Sequence, residues 1–340
     1  MFYVGLDVHL NYTTVCVLTE TGQVHQRCTL QSILEVKEFL DSLPQPCEVC
    51  FEASTSYGFV YDLLSKVAQR VAVAHPGLLR LIFRSKQKND RADAFKLAKL
   101  LYIGEVPSVY VPVSDIRSWR ELITYRRKKV QKRTSAKNGV RTLLRTLGIK
   151  GLGAAKQWTK KGICWLRELE LDSMHMTTLD QLIEEIELLS KHIKNVEKQL
   201  EDYAAENTSV QLLKTIPGVG IRTAEAVAAF IDNPQRFRSS KCIGAYFGLV
   251  PSQDQSGNKN RLGHITREGS ATVRHLLTEA VWQATRRSPT IKNYMQRIMR
   301  NDPERRKIAI VATAHYMVRV MWALLKKNEG WKESTNAVAA

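Results

Sequence analysis

The chain lacks any run of roughly 18 consecutive apolar residues, the length a membrane-crossing helix needs, so no membrane association is expected. Its N-terminus has none of the charged, apolar and small-residue segments of a secretory signal, and a cytoplasmic setting is expected. Cysteine is sparse. Cys16, Cys28, Cys47, Cys50, Cys164 and Cys242 sit mostly among apolar neighbours, which fits a reducing compartment rather than a disulfide framework. Cys47 and Cys50 have metal-ligand spacing, but no second Cys/His pair accompanies them, and Val49 and Phe51 make the segment a strand. Buried packing cysteines are expected there. Acid is the other shortage. Against 51 Lys and Arg there are 33 Asp and Glu, leaving a net charge of +18 and a pI near 9.7. An excess of that size points to a polyanionic partner, because neutralising phosphates releases counterions from nucleic acid.

What is present suits two or three domains with cores of their own, given 340 residues of which 44% are hydrophobic. Residues 2–8 read as a buried strand, 12–19 as its hairpin partner across the polar turn His9-Leu10-Asn11, and 24–30 as a third strand. A helix over 33–43 stops before Pro44. A strand at 48–51 ends in Glu52, a helix covers 57–69, a strand covers 71–74, and His75-Pro76-Gly77 reads as a turn. From Asn89 the chain is helical. This order predicts an α/β layer with a mixed sheet.

Residues 115–150 form a basic, helical stretch. Arg117, Arg120, Arg126, Arg127, Lys128, Lys129, Lys132, Arg133, Lys137, Arg141, Arg145 and Lys150 stand against only Asp115 and Glu121. Repulsion at helical spacing disfavours such a face unless an anion covers it, so nucleic-acid contact is expected. Trp119 and Tyr125 fit either base stacking or the core. After a break at Gly148–Gly153, Leu179, Leu182, Ile186, Leu189, Ile193, Val196, Leu200 and Tyr203 repeat at spacings of three and four, a coiled-coil or helical-hairpin seam. It can pack against the basic helix or against a second chain. Residues 211–230 carry Ile216-Pro217-Gly218-Val219-Gly220 before an alanine-rich helix. This resembles the helix-hairpin-helix module, in which Gly218 and Gly220 let backbone approach a phosphate. Such contacts position DNA without reading its sequence.

Asp7 lies in an apolar strand, where an unpaired carboxylate costs several kcal/mol. Glu52 tips another strand. Asp90 and Asp93, three apart, share a face of a helix's first turn, where acids also suit the helix dipole. Four carboxylates on elements that one sheet brings together suit one or two Mg²⁺ ions. Near the other end, a polar loop after Pro251 carries Ser252, Ser256, Lys259, Arg261 and Arg267, and Ser270 reads as the N-cap of the following helix. A hydroxyl on a cationic loop suits either attack on a phosphodiester or phosphate binding.

Gly5-Leu-Asp7-Val-His9, the 51–58 segment beginning Phe51-Glu52, and Asn89-Asp90-Arg-Ala-Asp93 resemble the DEDD motifs of the insertion-sequence-110 family of transposases. Residues 211–277 resemble that family's C-terminal domain, so the likeness covers nearly the whole chain. It implies an α/β ribonuclease-H-like (RuvC-like) N-terminal domain over 1–112 and a basic helix and coiled coil over 113–206. A mainly helical C-terminal domain with a helix-hairpin-helix then covers 207–340. It further implies that Asp7, Glu52, Asp90 and Asp93 hold Mg²⁺ and that Ser256, with Ser252 as lesser candidate, attacks the phosphate. Lys259, Arg261 and Arg267 would neutralise charge. Nucleic acid would be met by Arg126, Arg127, Lys128, Lys129, Lys132, Arg133, Arg141, Arg145, Gly218 and Gly220. The partners implied are donor and target DNA, a structured non-coding bridge RNA, and further copies in a dimer or tetramer, working at a bacterial nucleoid. Two other readings stand beside it. A RuvC-type, Mg-dependent Holliday-junction endonuclease would use the four acids with water as nucleophile and leave residues 211–277 without a catalytic purpose. A non-catalytic nucleic-acid binder with a decayed site conflicts with the intact acids.

Overall fold

A computed structural model describes residues 1–82, 89–153, 156–256 and 259–333. The chain divides into two compact units, Met1–Arg117 and Ser118–Ala340. The segment 113–206, expected as a region of its own, falls within the second unit from Ser118 onward. The tail 334–340, expected to fray, lies outside the described residues.

The first unit runs β1 (Phe2–Val8), β2 (Thr13–Leu18), β3 (Val24–Leu30), α1 (Ile33–Asp41), β4 (Cys47–Glu52), α2 (Tyr57–Leu64), β5 (Arg70–Ala74), α3 (Pro76–Ile82) and α4 (Asp90–Tyr102). The strands form one mixed sheet in the order β3-β2-β1-β4-β5. The pairs β1–β2 and β2–β3 are antiparallel, whereas β1–β4 and β4–β5 are parallel. Where the sequence reads a turn at 75–77, a short helix begins instead. Pro76 opens it, and His75 Nδ1 accepts from the Leu78 amide at 3.3 Å, satisfying one free N–H of the first turn.

Strand alternation divides the side chains between two layers. Val4, Leu6, Val49 and Phe51 point to the face covered by Val36 and Leu40 of α1 and Val60 and Leu64 of α2. Gly5, Cys16 and Cys50 point to the other face, against Ala94, Leu97, Ala98 and Leu101 of α4. A Cβ on Gly5 would stand 2.0 Å from the Ala94 carbonyl oxygen and 2.4 Å from the Ala98 amide nitrogen, so α4 reaches the sheet only because residue 5 has no side chain. Cys47 and Cys50, three apart on β4, face opposite layers and are both buried, as packing residues should be. Burial pushes the Cys50 thiol up to about 12.

The second unit is mainly helical. A 33-residue helix, α5 (Ser114–Thr146), begins in the last residues of the first unit. It is followed by α6 (Lys160–Arg167), α7 (Ser173–Glu206), α8 (Thr208–Lys214), α9 (Ile221–Ile231) and α10 (Ser240–Tyr246). A hairpin of β6 (Pro251–Ser256) and β7 (Lys259–Ile265) leads to α11 (Ala271–Arg287), α12 (Pro289–Met299) and α13 (Arg306–Lys327). The seam on α7 is used within the chain: Leu179, Ile183 and Ile186 pack with Ala136, Val140 and Leu144 of α5 and Leu166 of α6, and Leu189, Ile193 and Leu200 farther along are buried too. Tyr203 packs on Trp119 in a tilted arrangement with ring centroids 4.7 Å apart. Trp119 is therefore core, whereas Tyr125 is exposed with Lys129 Nζ over its ring.

Among the described residues one helix, Pro303–Lys327, has the length and apolarity of a membrane span. Its Ala309, Ala314, Met317, Val318 and Met321 are buried in this unit, where it packs on α10, α11 and α12. After α13 the chain returns to the start of α12. Glu333 accepts hydrogen bonds from the Ser288 hydroxyl (2.8 Å), the Thr290 amide (2.8 Å) and Trp331 Nε1 (2.9 Å). Burial pushes this carboxyl up, but hydrogen bonds from Thr290, Trp331 and Ser288 outweigh it and hold the group at about 2. Since the folded value lies below the ordinary 4.5, this support is complete above that pH and is lost as pH falls toward about 2. Glu333→Gln is expected to lower the melting temperature at neutral pH, and thermal scans across pH should show the gap closing between those values.

Candidate active site

The side chains singled out from the sequence for chemistry fall into two groups, one in each unit. In the first, alternation along β1 puts Asp7 on the same face as Gly5, the face where α4 docks. Asn89 caps α4 by accepting from the Arg91 amide at 3.0 Å, and Asp90 and Asp93 occupy the first turn. The close contact at Gly5 thus brings the start of α4 to the end of β1. His9 Nε2 stands 3.2 Å from Asp7 Oδ2 and 3.7 Å from Asp90 Oδ2. The Tyr12 hydroxyl donates to Asp90 Oδ2 at 3.0 Å. One ligand atom from each of Asp7, His9 and Asp90 falls within 4.8 Å of the others, and all three side chains are partly exposed.

The other two predicted acids sit at the margin of this cluster. Leu6 pairs with Phe51, so the next residues, Asp7 near the end of β1 and Glu52 at the end of β4, lie on neighbouring parallel strands about 4.8 Å apart. Glu52 is exposed there, outside the three-residue group. Asp93 accepts from Lys96 Nζ at 2.8 Å and is likewise outside it. Burial pushes the Asp7 carboxyl above its ordinary value. The His9 charge and hydrogen bond pull it back, and the charges of Asp90 and Asp93 raise it again. A cation beside Asp7 and Asp90 would offset the repulsion between their charges. Two carboxylates and an imidazole nitrogen are donors that a divalent ion accepts, so the residues present fit a metal. Sequence reasoning left His9 and Tyr12 out of the site. His9 had a usable signal, since it lies two residues beyond Asp7 and so shares its face. Tyr12, just before β2, had none.

In the second unit, the stretch after Pro251 is a β-hairpin rather than the loop expected from the sequence. Every residue of β6 and β7 is exposed except Ile265, so neither strand shows the apolar alternation that marks a strand in sequence. The hairpin is held by its ladder and by Gln253, whose Nε2 donates to Asn260 Oδ1 at 3.1 Å. Ser256 ends β6 opposite Lys259, and Asp254 stands opposite Arg261 in the strand register. Gly257, of the Ser-Gly step, lies outside the described residues. Ser252 is at the base, where a Cβ on Gly263 would come within 2.4 Å of its Oγ. The two serines are thus separated by about 13 Å of strand.

Arg267 lies beyond the hairpin at φ 58°, its amide donating to the Gly248 carbonyl at 3.2 Å. Arg274, unremarked in the sequence, fastens this base by donating to the carbonyls of Phe247, Glu268 and Gly269. Ser270 caps α11 as expected, its Oγ accepting from the Val273 amide at 3.3 Å.

The basic helix is divided in its duties. Arg126 pairs with Glu197, Arg133 donates to Ser190 Oγ at 3.3 Å, and Arg127 is half-buried, with its charge disfavoured by burial. Lys129 and Arg141 are half-buried, while Lys128, Lys132 and Arg145 are exposed. Gly218 takes φ 85° and abuts α11, where a Cβ would meet the Ala284 amide nitrogen at 2.3 Å. Gly220, at the N-cap of α9, opens on free space.

Comparison with known proteins bears on both units. The DEDD transposase model of the IS110 type matches residues 4–149, and the model described as the IS116/IS110/IS902 transposase family matches residues 210–296. A probable family 20 transposase of Pseudomonas aeruginosa is 26% identical over 86% of this chain and 88% of its own. The transposase for insertion sequence element IS1328 of Yersinia enterocolitica is 25% identical over 94% and 96%. A pilin gene-inverting protein of Moraxella lacunata is 24% identical over 96% of both chains. With both transposase domains present in order and full-length relatives of that kind, the chain belongs to the IS116/IS110/IS902 family of insertion-sequence transposases.

Proposed function

We propose that this chain cuts donor and target DNA through a covalent serine–DNA intermediate and rejoins the strands, guided by a bridge RNA. The observation that carries the metal-assisted part is the meeting of Asp7 and Asp90 within 4.8 Å, with His9 between them. Asp7, Glu52, Asp90 and Asp93 would hold Mg²⁺, which when bound lowers the cost of charge building on a phosphate. The sheet order β3-β2-β1-β4-β5 supports a RuvC-like reading of the first unit. The Gly218–Gly220 turn between α8 and α9 supports a helix-hairpin-helix, and the long α7 supports a coiled-coil region.

Ser256 is the nucleophile in this reading, exposed at the end of β6 opposite Lys259. Its Oγ forms the bond to phosphorus as one P–O bond to deoxyribose breaks. The serine's proton is balanced by the proton taken up by the departing sugar oxygen. The reverse reaction with another strand's hydroxyl reseals the DNA without loss of bond energy. Lys259, Arg261 and Arg267 neutralise charge at the phosphate. Two DNA ends and a target handled together call for a dimer or tetramer, acting in the cytoplasm at the nucleoid. A protein guided by base pairing reads backbone shape and charge, which suits a net charge of +18.

Asp7→Asn and Asp90→Asn test the metal assignment. Mg²⁺ at 100 times its dissociation constant stabilises a folded protein by about 2.7 kcal/mol, so it should raise the wild-type melting temperature and leave both variants unmoved. Strand cleavage should be lost with it. Equal Mg²⁺ shifts in all three proteins would remove Asp7 and Asp90 from the site.

A further inference from the structure

The second unit holds a pocket that neither the acids nor the hairpin uses. It lies where α5 ends, has a volume of about 460 Å³, and is walled by Arg141, Arg145, Lys150, Gln157 and the glycines of 148–153. No acidic side chain lines it, and no Asp or Glu occurs in the sequence between Glu121 and Glu168. α5 closes in a left-handed turn. Gly148 takes φ 69°, its amide donates to the Arg145 carbonyl at 3.1 Å, and the Ile149 amide donates to that of Leu144 at 2.8 Å.

A helix C-terminus carries about half a negative charge, which opposes an anion. The three unit positive charges of Arg141, Arg145 and Lys150 outweigh it. Arg141 is held in place over the Trp158 ring, 5.4 Å from its centroid, while its Nη1 donates to Asn138 Oδ1 at 2.8 Å. Lys137 shares that ring at 4.9 Å, and burial together with the charges of Arg133 and Arg141 lowers its affinity for a proton. Positive charge is crowded here without a protein anion to offset it. Gln157 is the second, independent sign. It is 3% exposed, and its Nε2 has no hydrogen-bond partner among the described residues. A buried amide donor without an acceptor is a cost the fold carries unless a ligand removes it.

We propose that this pocket seats one phosphate of a nucleic-acid strand, with Arg141, Arg145 and Lys150 supplying charge and Gln157 Nε2 a directional hydrogen bond. This rests on the nucleic-acid reading of α5 and turns a charged face into a defined seat. A strand lying along the basic helix brings its backbone to this end. Gly148 and Gly153, both at positive φ, and Gly151 keep that rim free of side chains.

The test uses the full chain, a fluorescein-labelled single-stranded RNA, and titrations across salt. Arg145→Gln/Lys150→Gln removes two exposed charges, and Lys160→Gln/Lys161→Gln removes two equally exposed charges outside the pocket. The first pair should weaken binding about tenfold and lower the salt slope by about 0.7 for one phosphate contact. The second should change affinity less than about twofold. Gln157→Leu should weaken binding with the slope unchanged, because it removes no charge. Melting temperatures confirm that each variant is folded. Equal weakening by both charge pairs, or none by either, overturns the seat while leaving the general nucleic-acid reading in place. Calorimetric binding of inorganic phosphate that the first pair abolishes, with RNA affinity intact, assigns the pocket to free phosphate and also overturns it. A wild-type chain that binds no nucleic acid removes both readings together.

Discussion

Gly5→Ala is expected to unfold the first unit at markedly lower denaturant and to abolish divalent-ion binding at Asp7 and Asp90. Intrinsic preference alone argues the opposite, since alanine in a strand is better than glycine by roughly 0.5–1 kcal/mol. The contacts decide otherwise. The added Cβ would stand 2.0 Å from the Ala94 oxygen and 2.4 Å from the Ala98 nitrogen, both backbone atoms of α4 that no rotamer change can move. Overpacking of a well-filled site costs about 1–3 kcal/mol and more when backbone must shift, so the steric loss exceeds the propensity gain. The loss is also directional. Asp90 lies at the start of the helix that Gly5 admits, and a helix displaced by over an ångström no longer presents it to Asp7 and His9. Urea unfolding and Mg²⁺ titration of the variant measure the two effects separately. Wild-type values for both would show that α4 is not positioned by this contact.

Ser256→Ala is expected to remove the covalent protein–DNA adduct on a denaturing gel and to reduce strand cleavage by up to about 10⁶-fold, the scale of losing a serine nucleophile. Ser252→Ala should retain the adduct. The two serines lie at opposite ends of one exposed strand, and only Ser256 has a cation, Lys259, as its direct cross-strand partner. A phosphate beside Ser256 meets that charge directly, whereas Ser252 has Gly263 against its hydroxyl. Loss of the adduct in Ser252→Ala with its retention in Ser256→Ala would exchange their roles. Cleavage that persists in Ser256→Ala without any adduct would mean water is the nucleophile, as in a junction endonuclease.

Much of the architecture was legible in the residues because one face of each element is buried. Alternation of Val4 and Leu6 with Gly5 and Asp7 marks β1, and the three-four spacing of Leu179, Leu182, Ile186 and Leu189 marks α7. The β6–β7 hairpin was not legible, because a strand exposed on both faces carries no apolar pattern to detect. Gly218 read as a phosphate approach, yet its positive φ and its contact with Ala284 are demands set by α11, more than sixty residues later. A glycine announces closeness to something without naming it.

The sequence by itself determined the element order of the first unit apart from α3, the basic helix, the packing role of Cys47 and Cys50 and the acids that sit awkwardly in apolar segments. Each follows from local periodicity and from the cost of burying charge. Only the tertiary structure decided that α7 buries its seam within the chain, against α5 and α6 over its first turns, that Arg126 serves Glu197, and that Tyr12 and His9 join Asp7 and Asp90. Those choices depend on which surfaces meet, and contacts between residues 78 positions apart, such as Tyr12 and Asp90, leave no trace in the periodicity of either segment.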